Sequence, residues 1–262
     1  MAVLAWIVLF TLLGGALSAL AASLFLVAPE SVRSRVLPHL VSFATGALLG
    51  AALLGLLPHA IEQVGISGTH GIGLTLLAGL LVFFVLEKMV LWRHCHQEVC
   101  EGHVHVHATD AHRDAASASL ILIGDGFHNV LDGVLIAAAF MTDVHLGVVT
   151  ALAVIAHEIP QEVGDLAILL QGGMSRLRAL TLNLLTSLTS VVGGIAAYLA
   201  LGPVQQALPY AISLAAASFL YIAVADLIPG LHRRVDAGSG VRQFVFIVLG
   251  VAVIYVSHSL AH

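Results

Sequence analysis

Apolar residues run along this chain in blocks of about twenty, the length a helix needs to cross roughly 30 Å of hydrocarbon. Eight blocks qualify: 3–27, 39–58, 71–92, 117–141, 146–170, 178–201, 208–229 and 241–260. The interruptions at 29–38, 62–70, 142–145, 171–178, 202–209 and 231–240 carry prolines, glycines or polar residues. Such short connections leave no room for a soluble domain. One connection is longer, from 93 to 116. The pattern predicts an all-α polytopic membrane protein of eight transmembrane helices. Residues 1–262 are expected to form one transmembrane domain, with the 93–116 loop inside it.

Composition agrees. Of 262 residues, 59% are hydrophobic and 10% charged, with mean hydropathy +1.02. A soluble domain with so little charge could not keep a solvated surface. No Lys or Arg precedes Arg33, so the run from Val3 to Val27 reads as a first span and not as a signal peptide with a basic head.

The position of the charges matters more than their sum. The ten basic residues are Arg33, Arg35, Lys88, Arg93, Arg113, Arg176, Arg178, Arg233, Arg234 and Arg242. All fall at the first, third, fifth or seventh connection. The positive-inside rule then puts these connections in the cytoplasm and both termini outside.

Internal repetition is visible. Span four carries His128-Asn129-Val-Leu-Asp132-Gly133, and span five carries His157-Glu158-Ile-Pro160-Gln161-Glu162. Span two ends in Leu-Leu-Pro58-His59, and span seven in Leu-Ile-Pro229-Gly230. The members of each pair run antiparallel, which is the inverted-repeat layout of many secondary transporters. Gly46 and Gly50, four apart in span two, suit close helix approach.

The chemistry lies in spans four and five. Asp125, His128, Asn129 and Asp132 share one helical face, as do His157, Glu158, Gln161, Glu162 and Asp165. A carboxylate at the centre of a membrane helix costs about 2.5–3.5 kcal/mol on insertion scales. Five of these residues are carboxylates, and no Lys or Arg occurs between residues 114 and 175 to neutralise them. The neighbouring imidazoles favour a bound metal ion as the compensating charge, in the class of zinc, iron or manganese. Pro160 removes a helical N–H and predicts a kink in the cavity wall. Asp125 and Asp165, set apart from the histidines, read as groups of the transport pathway and not as ligands. His59 and Glu62, at the outer end of span two, read as an outer vestibule. Asn183, Ser187 and Ser190 read as interhelical hydrogen-bonding groups.

The long connection holds a second ligand-rich segment: His94, Cys95, His96, Glu98, Cys100, Glu101, His103, His105 and His107, then Asp110 and His112. This mixture of imidazole, thiol and carboxylate chelates soft metals. On the cytoplasmic side its thiols are expected to be reduced. It reads as a flexible buffer or sensor for the ion.

The paired motifs resemble those of the Zrt/Irt-like (ZIP) metal-ion transporters. The stretches Ala51-Ala-Leu-Leu-Gly55-Leu-Leu-Pro58-His59-Ala60 and Phe219-Leu-Tyr221 through Asp226 to Pro229 also resemble the family's spans two and seven. The resemblance covers the whole chain. It implies uptake of zinc, or of iron, manganese or cadmium, into the cytoplasm through a binuclear site between spans four and five. An outer three-plus-three inverted repeat would surround that site. Carried over by position, His128, His157 and Gln161 belong to one metal position, and Asn129, Asp132 and Glu158 to the other. The chain departs from the most similar branch at Gln161, where that branch has His, and at Ala51 and Gly55, where it has Asp and His. Glu162 or water would then complete the poorer position.

The competing reading is an intramembrane metal-dependent hydrolase, because His157-Glu158-x-x-Gln161 differs by one residue from the zincin H-E-x-x-H. That reading leaves Glu162 and Asp165 unexplained, so no enzyme activity is expected. No Walker A pattern occurs. A membrane negative inside favours inward movement of a divalent ion by about 4.6 kcal/mol per 100 mV. The expected partners are divalent ions as cargo and the lipid bilayer of a plasma or inner membrane. A homodimer is compatible with the sequence, and no organic cofactor or nucleic acid is expected.

Overall fold

A computed structural model describes residues 2–95, 110–171, 173–202, 205–232 and 237–259. Among these residues there is no strand. The helices are α1 (Ala2–Val27), α2 (Glu30–Gly50), α3 (Leu57–Cys95), α4 (Asp110–Thr142), α5 (Val144–Gln171), α6 (Arg176–Ser187), α7 (Thr189–Leu201), α8 (Leu208–Tyr221), α9 (Ile228–His232) and α10 (Ala237–Ser259).

Among the described residues, seven helical runs are long and apolar enough to cross a membrane. One of them, Glu30–Leu86, has 57 residues. Straight, it would measure about 85 Å, nearly three times the hydrocarbon thickness of about 30 Å. It breaks at Gly65, whose φ of 66° and ψ of −174° lie outside the helical region. Only glycine adopts that backbone without strain. The run therefore divides into two spans, and eight segments of spanning length result.

Several expected boundaries move. Of the stretch 29–38, all after Pro29 is helical, not a loop: α2 starts at Glu30, and Pro38 lies inside it. The break expected over 62–70 narrows to Gly65. The loop expected from 93 to 116 is shortened by α3, which runs to Cys95, and by α4, which starts at Asp110. The alanine-rich stretch after Asp110 has no breaker, so helix continues there at little cost. Residues 96–109 lie outside the described part.

The connection between α4 and α5 is Asp143 alone. Its carboxylate accepts hydrogen bonds from the backbone N–H groups of His145 (2.8 Å) and Leu146 (3.0 Å). It is the N-cap of α5. Burial opposes its charge, but these bonds, together with the His145 and His59 imidazoles, outweigh that and hold it below the usual carboxylate range. With one linking residue, α4 and α5 are antiparallel neighbours.

The helix pairing has an internal symmetry. α2 packs along α10 and α3 along α8; α1 packs along α5 and α7 along α4. Exchanging the first three spans with the last three, and α4 with α5, turns each pair into the other. The same exchange relates two π-helical turns, Ala51–Leu56 and Ile222–Leu227. Leu57 N–H reaches back five residues to Ala52 O, and Ile228 N–H to Ala223 O. Pro58 and Pro229 each follow by one residue. A proline ring clashes with the carbonyl four residues back, and one wider turn relieves that clash.

Glycines let the backbones meet. A Cβ at Gly46 would collide with the Ile247 carbonyl, and one at Gly250 with that of Phe43, where α2 crosses α10. Between α4 and α7, a Cβ at Gly133 would strike the Ser190 carbonyl, and one at Gly193 that of Val130. The close approach at Gly133 fixes α4 one residue beyond Asp132.

Candidate metal centre

The polar faces of α4 and α5 meet. His128 Nε2 lies 3.2 Å from His157 Nε2, 3.4 Å from Glu158 Oε1 and 3.7 Å from Asp132 Oδ2. His157 Nε2 lies 3.2 Å from Asp132 Oδ2 and 3.7 Å from Glu158 Oε1. These four atoms therefore show five of the six edges of a tetrahedron at 3.2–3.7 Å. A tetrahedral ion with bonds of about 2.0–2.1 Å requires edges of about 3.3–3.4 Å. Two imidazole nitrogens and two carboxylate oxygens are thus spaced to hold one zinc-sized ion.

The surroundings prepare the ligands. His157 Nδ1 lies 3.1 Å from the Ala153 carbonyl oxygen. Donation of the Nδ1 proton to that oxygen leaves the Nε2 lone pair facing the other three groups. Phe219 of α8 meets the His157 ring edge-to-face, with centroids 6.1 Å apart. Asp132, His157 and Glu158 are buried. His128 is the open side of the site, its side chain 22% exposed. Neither oxygen of Asp132 or of Glu158 has a hydrogen-bond partner. Buried carboxylates without donors are costly, and a cation placed among them would supply what the protein does not.

A second group adjoins the first. Asp125, Glu158 and Glu162 each bring an oxygen within 4.8 Å of the others. Asn129 turns its amide to Asp125, donating to Oδ1 at 2.9 Å and to the Asp125 carbonyl at 3.2 Å. Asn183 donates to Glu162 Oε2 and Ser187 to Glu162 Oε1, both from α6. The interhelical role expected of Asn183 and Ser187 is therefore present, directed at a carboxylate. Ser190 donates to the Thr11 carbonyl at 3.3 Å, joining α7 to α1.

Asp125, expected among the pathway groups, lies beside Glu158 and Glu162. Three residues separate it from His128, but the antiparallel crossing carries Glu162 to its level. Asp165 is half-buried, close enough to Asp125 and Glu158 to feel their charge. Gln161 is half-buried on α5, one turn from His157. α5 runs on through Pro160, which lies inside it. At the other end, half-buried His59 directs Nδ1 to the Gly55 carbonyl at 3.0 Å, and Glu62 is exposed. His94 and Cys95 end α3, while His96, Cys100, His103, His105 and His107 lie outside the described residues.

An all-helical bundle of membrane-spanning length, with imidazoles and carboxylates converging in its interior, defines a membrane protein built to handle metal ions. Comparison with known proteins makes the class specific. A family model described as ZIP Zinc transporter matches residues 92–258. The chain is 30% identical to "Zinc transporter zipt-7.1" of Caenorhabditis briggsae, over 89% of this chain and 74% of that protein. It is 31% identical to "Zinc transporter ZIP13" of Pongo abelii, over 83% of this chain and 65% of that protein. It is 40% identical to "Zinc transporter foi" of Drosophila melanogaster over 52% of this chain, which is only 19% of that longer protein. The chain belongs to the ZIP family. The family and these relatives are named as transporters, not enzymes, and nothing supports the hydrolase reading of His157-Glu158.

Proposed function

We propose that the chain carries divalent metal ions, zinc foremost, across its membrane into the cytoplasm, with His128, Asp132, His157 and Glu158 as the central ligands. The observation that supports this most is the near-tetrahedral spacing of these four groups inside an apolar bundle. The names of the relatives support zinc as cargo. A plasma or inner membrane, negative on the cytoplasmic side, supplies the driving force.

In this reading, an ion sheds water as it meets His128, the exposed ligand, and is then gripped by the three buried ones. Gln161 and Asn129 offer neutral oxygens beside the ion, in keeping with a binuclear arrangement. Alternating access follows from rearrangement of the helices around α4 and α5. Beyond the site, Glu162 and Asp165 point the way to the basic connections, and the His/Cys-rich segment between α3 and α4 receives the ion. Both termini then face outward, with His59 and Glu62 at the outer mouth.

The test is ion uptake into proteoliposomes holding the full chain, over a panel of divalent ions. His128→Ala and His157→Ala should each abolish zinc uptake while the protein still inserts and purifies. Unchanged uptake in both variants overturns the site.

A further inference from the structure

The end of α1 lies close to the starts of two helices that each open with a pair of arginines. α2 opens at Glu30 and carries Arg33 and Arg35 in its first two turns. α6 opens at Arg176, with Arg178 in its first turn and Ser175 as its N-cap, the hydroxyl accepting from the Arg178 N–H at 3.4 Å. Ala22 and Leu26 of α1, Leu37 of α2, Leu169 of α5 and Ala179 of α6 share one apolar cluster. That cluster brings the three helix ends together at the face where α1 and α5 finish.

Within each pair the two arginines point apart, because residues two apart on a helix do not share a face. Arg33 lies one turn before Leu37, and Arg176 three residues before Ala179, so these two stand over the cluster. Arg35 and Arg178 are exposed on the outer sides of their helices, next to bare Val32 and Leu177. Among the described residues, no carboxylate lies within ion-pair distance of any of the four. The first turn of α6 holds no acid, and that of α2 holds Glu30 alone. Arg33 is half-buried, and its Nε is shielded from solvent without an acceptor.

An apolar track leads to these charges. Leu13, Leu17, Leu20, Leu24 and Val27 recur every three or four residues, so they form one stripe on α1. All five are exposed, and exposure rises along the stripe to 74% at Leu24 and 79% at Val27. On a helix long enough to span a bilayer, such a stripe faces acyl chains. The stripe alone accepts any lipid, and the charges at its end select among them.

We infer that this rim binds an anionic phospholipid, its acyl chains along the α1 stripe and its phosphate on Arg35 and Arg178, with Arg33 and Arg176 behind. A guanidinium offers paired N–H donors that match two phosphate oxygens. The first N–H groups of α6, at the positive end of the helix, add to the same attraction. On the orientation proposed above, the rim lies in the cytoplasmic leaflet, where anionic lipids set a negative surface potential. Basic pockets between helices on that side suit such headgroups. The site is remote from the metal ligands in function: it holds a lipid and requires no ion.

The test is native mass spectrometry of the detergent-purified full chain, titrated with phosphatidylglycerol or with phosphatidylcholine of the same acyl chains. Phosphatidylglycerol should be retained at least about tenfold more tightly than phosphatidylcholine. Arg35→Gln with Arg178→Gln should weaken it by about thirtyfold, the worth of two basic residues at a membrane surface. Lys88→Gln with Arg93→Gln, which removes two charges from the α3 end at the same face, should leave it unchanged. Arg35→Lys with Arg178→Lys keeps the charge and should keep the preference for the anionic lipid. Zinc binding by calorimetry should persist in all three variants, which shows them folded. Equal retention of the two lipids by the wild type overturns the inference. So does an equal loss in the Lys88, Arg93 variant, because surface charge in general would then be responsible. Displacement of the lipid by excess inorganic phosphate would make this a free-anion site, and a change of oligomeric mass without loss of lipid would make it a contact with a second copy; either result overturns it. Zinc uptake enters none of these readouts, so failure of the transport reading would leave them standing.

Discussion

Spans two and seven form one antiparallel repeat, and spans four and five form another, yet among the described residues the groups that converge as metal ligands lie on the second. In the outer pair, the related features are two π turns ahead of Pro58 and Pro229, and Ala51 and Gly55 are buried among apolar neighbours. In the inner pair, the related features are His128 with Asp132 and His157 with Glu158, four groups drawn to within 3.2–3.7 Å along five edges. The symmetry of the fold therefore supplies a crossing point, and the side chains decide whether it holds an ion. The outer pair shapes the wall, whereas the inner pair makes the site.

The sharpest way to break this contrast is to remove ligands from the inner pair. His157→Ala or Asp132→Ala should reduce zinc uptake by at least about 100-fold, the upper end of what is lost when a group behind a ligand is removed. Uptake assays against expression-matched controls read this out. In the outer pair, Gly46→Val drives a side chain into the Ile247 carbonyl. Overpacking of this kind costs about 1–3 kcal/mol or more, so the loss should appear as a lower melting temperature and yield, with zinc affinity of the surviving protein unchanged. A weaker affinity there would show that the outer pair also shapes the ligand geometry.

Acidity should act strongly on the inner pair. Imidazoles must be neutral to bind metal, so protons compete. Uptake should fall by about tenfold or more from pH 7 to pH 5. Flat uptake over this interval contradicts the imidazole assignment. Gln161→His adds a stronger ligand one turn from His157, and zinc affinity should rise by several-fold in a binding titration. No change would mean that the residue 161 side chain does not touch the ion.

The smallest effect concerns Asp143, which links the two inner helices. Asp143→Ala removes the cap of α5 and should lower stability by about 1 kcal/mol. Its carboxyl is held below the ordinary range, so the cap is fully present at neutral pH. Its contribution is lost only as pH falls through that lowered value. Comparing wild type and variant by thermal melting at pH 7 and pH 3 should show the difference shrink in acid.

Much of this was legible in the sequence because a bilayer imposes so few solutions. Apolar blocks gave the spans, and the offsets of Asp125, His128, Asn129 and Asp132 gave a face. What pairing does across helices was less legible. Asp125 looked remote from the histidines along the chain, yet the antiparallel crossing brings Glu158 and Glu162 beside it. The hold of Asn183 and Ser187 on Glu162 spans more than twenty residues, so no local pattern announces it. Prolines did not mark the breaks. Pro38 and Pro160 sit inside continuous helix, because neighbouring helices can cover the lost hydrogen bond in a membrane. The true break fell at Gly65, where positive φ needs glycine and no proline is present.

The most direct test of the central claim is X-ray absorption at the zinc edge, on the purified chain loaded with one equivalent of zinc. The account predicts about four nitrogen and oxygen neighbours at about 2.0–2.1 Å. It also predicts an imidazole contribution that disappears in the His128→Ala, His157→Ala variant. A sulfur shell at about 2.3 Å, unchanged in that variant, would place the ion on Cys95 and Cys100 and contradict the account.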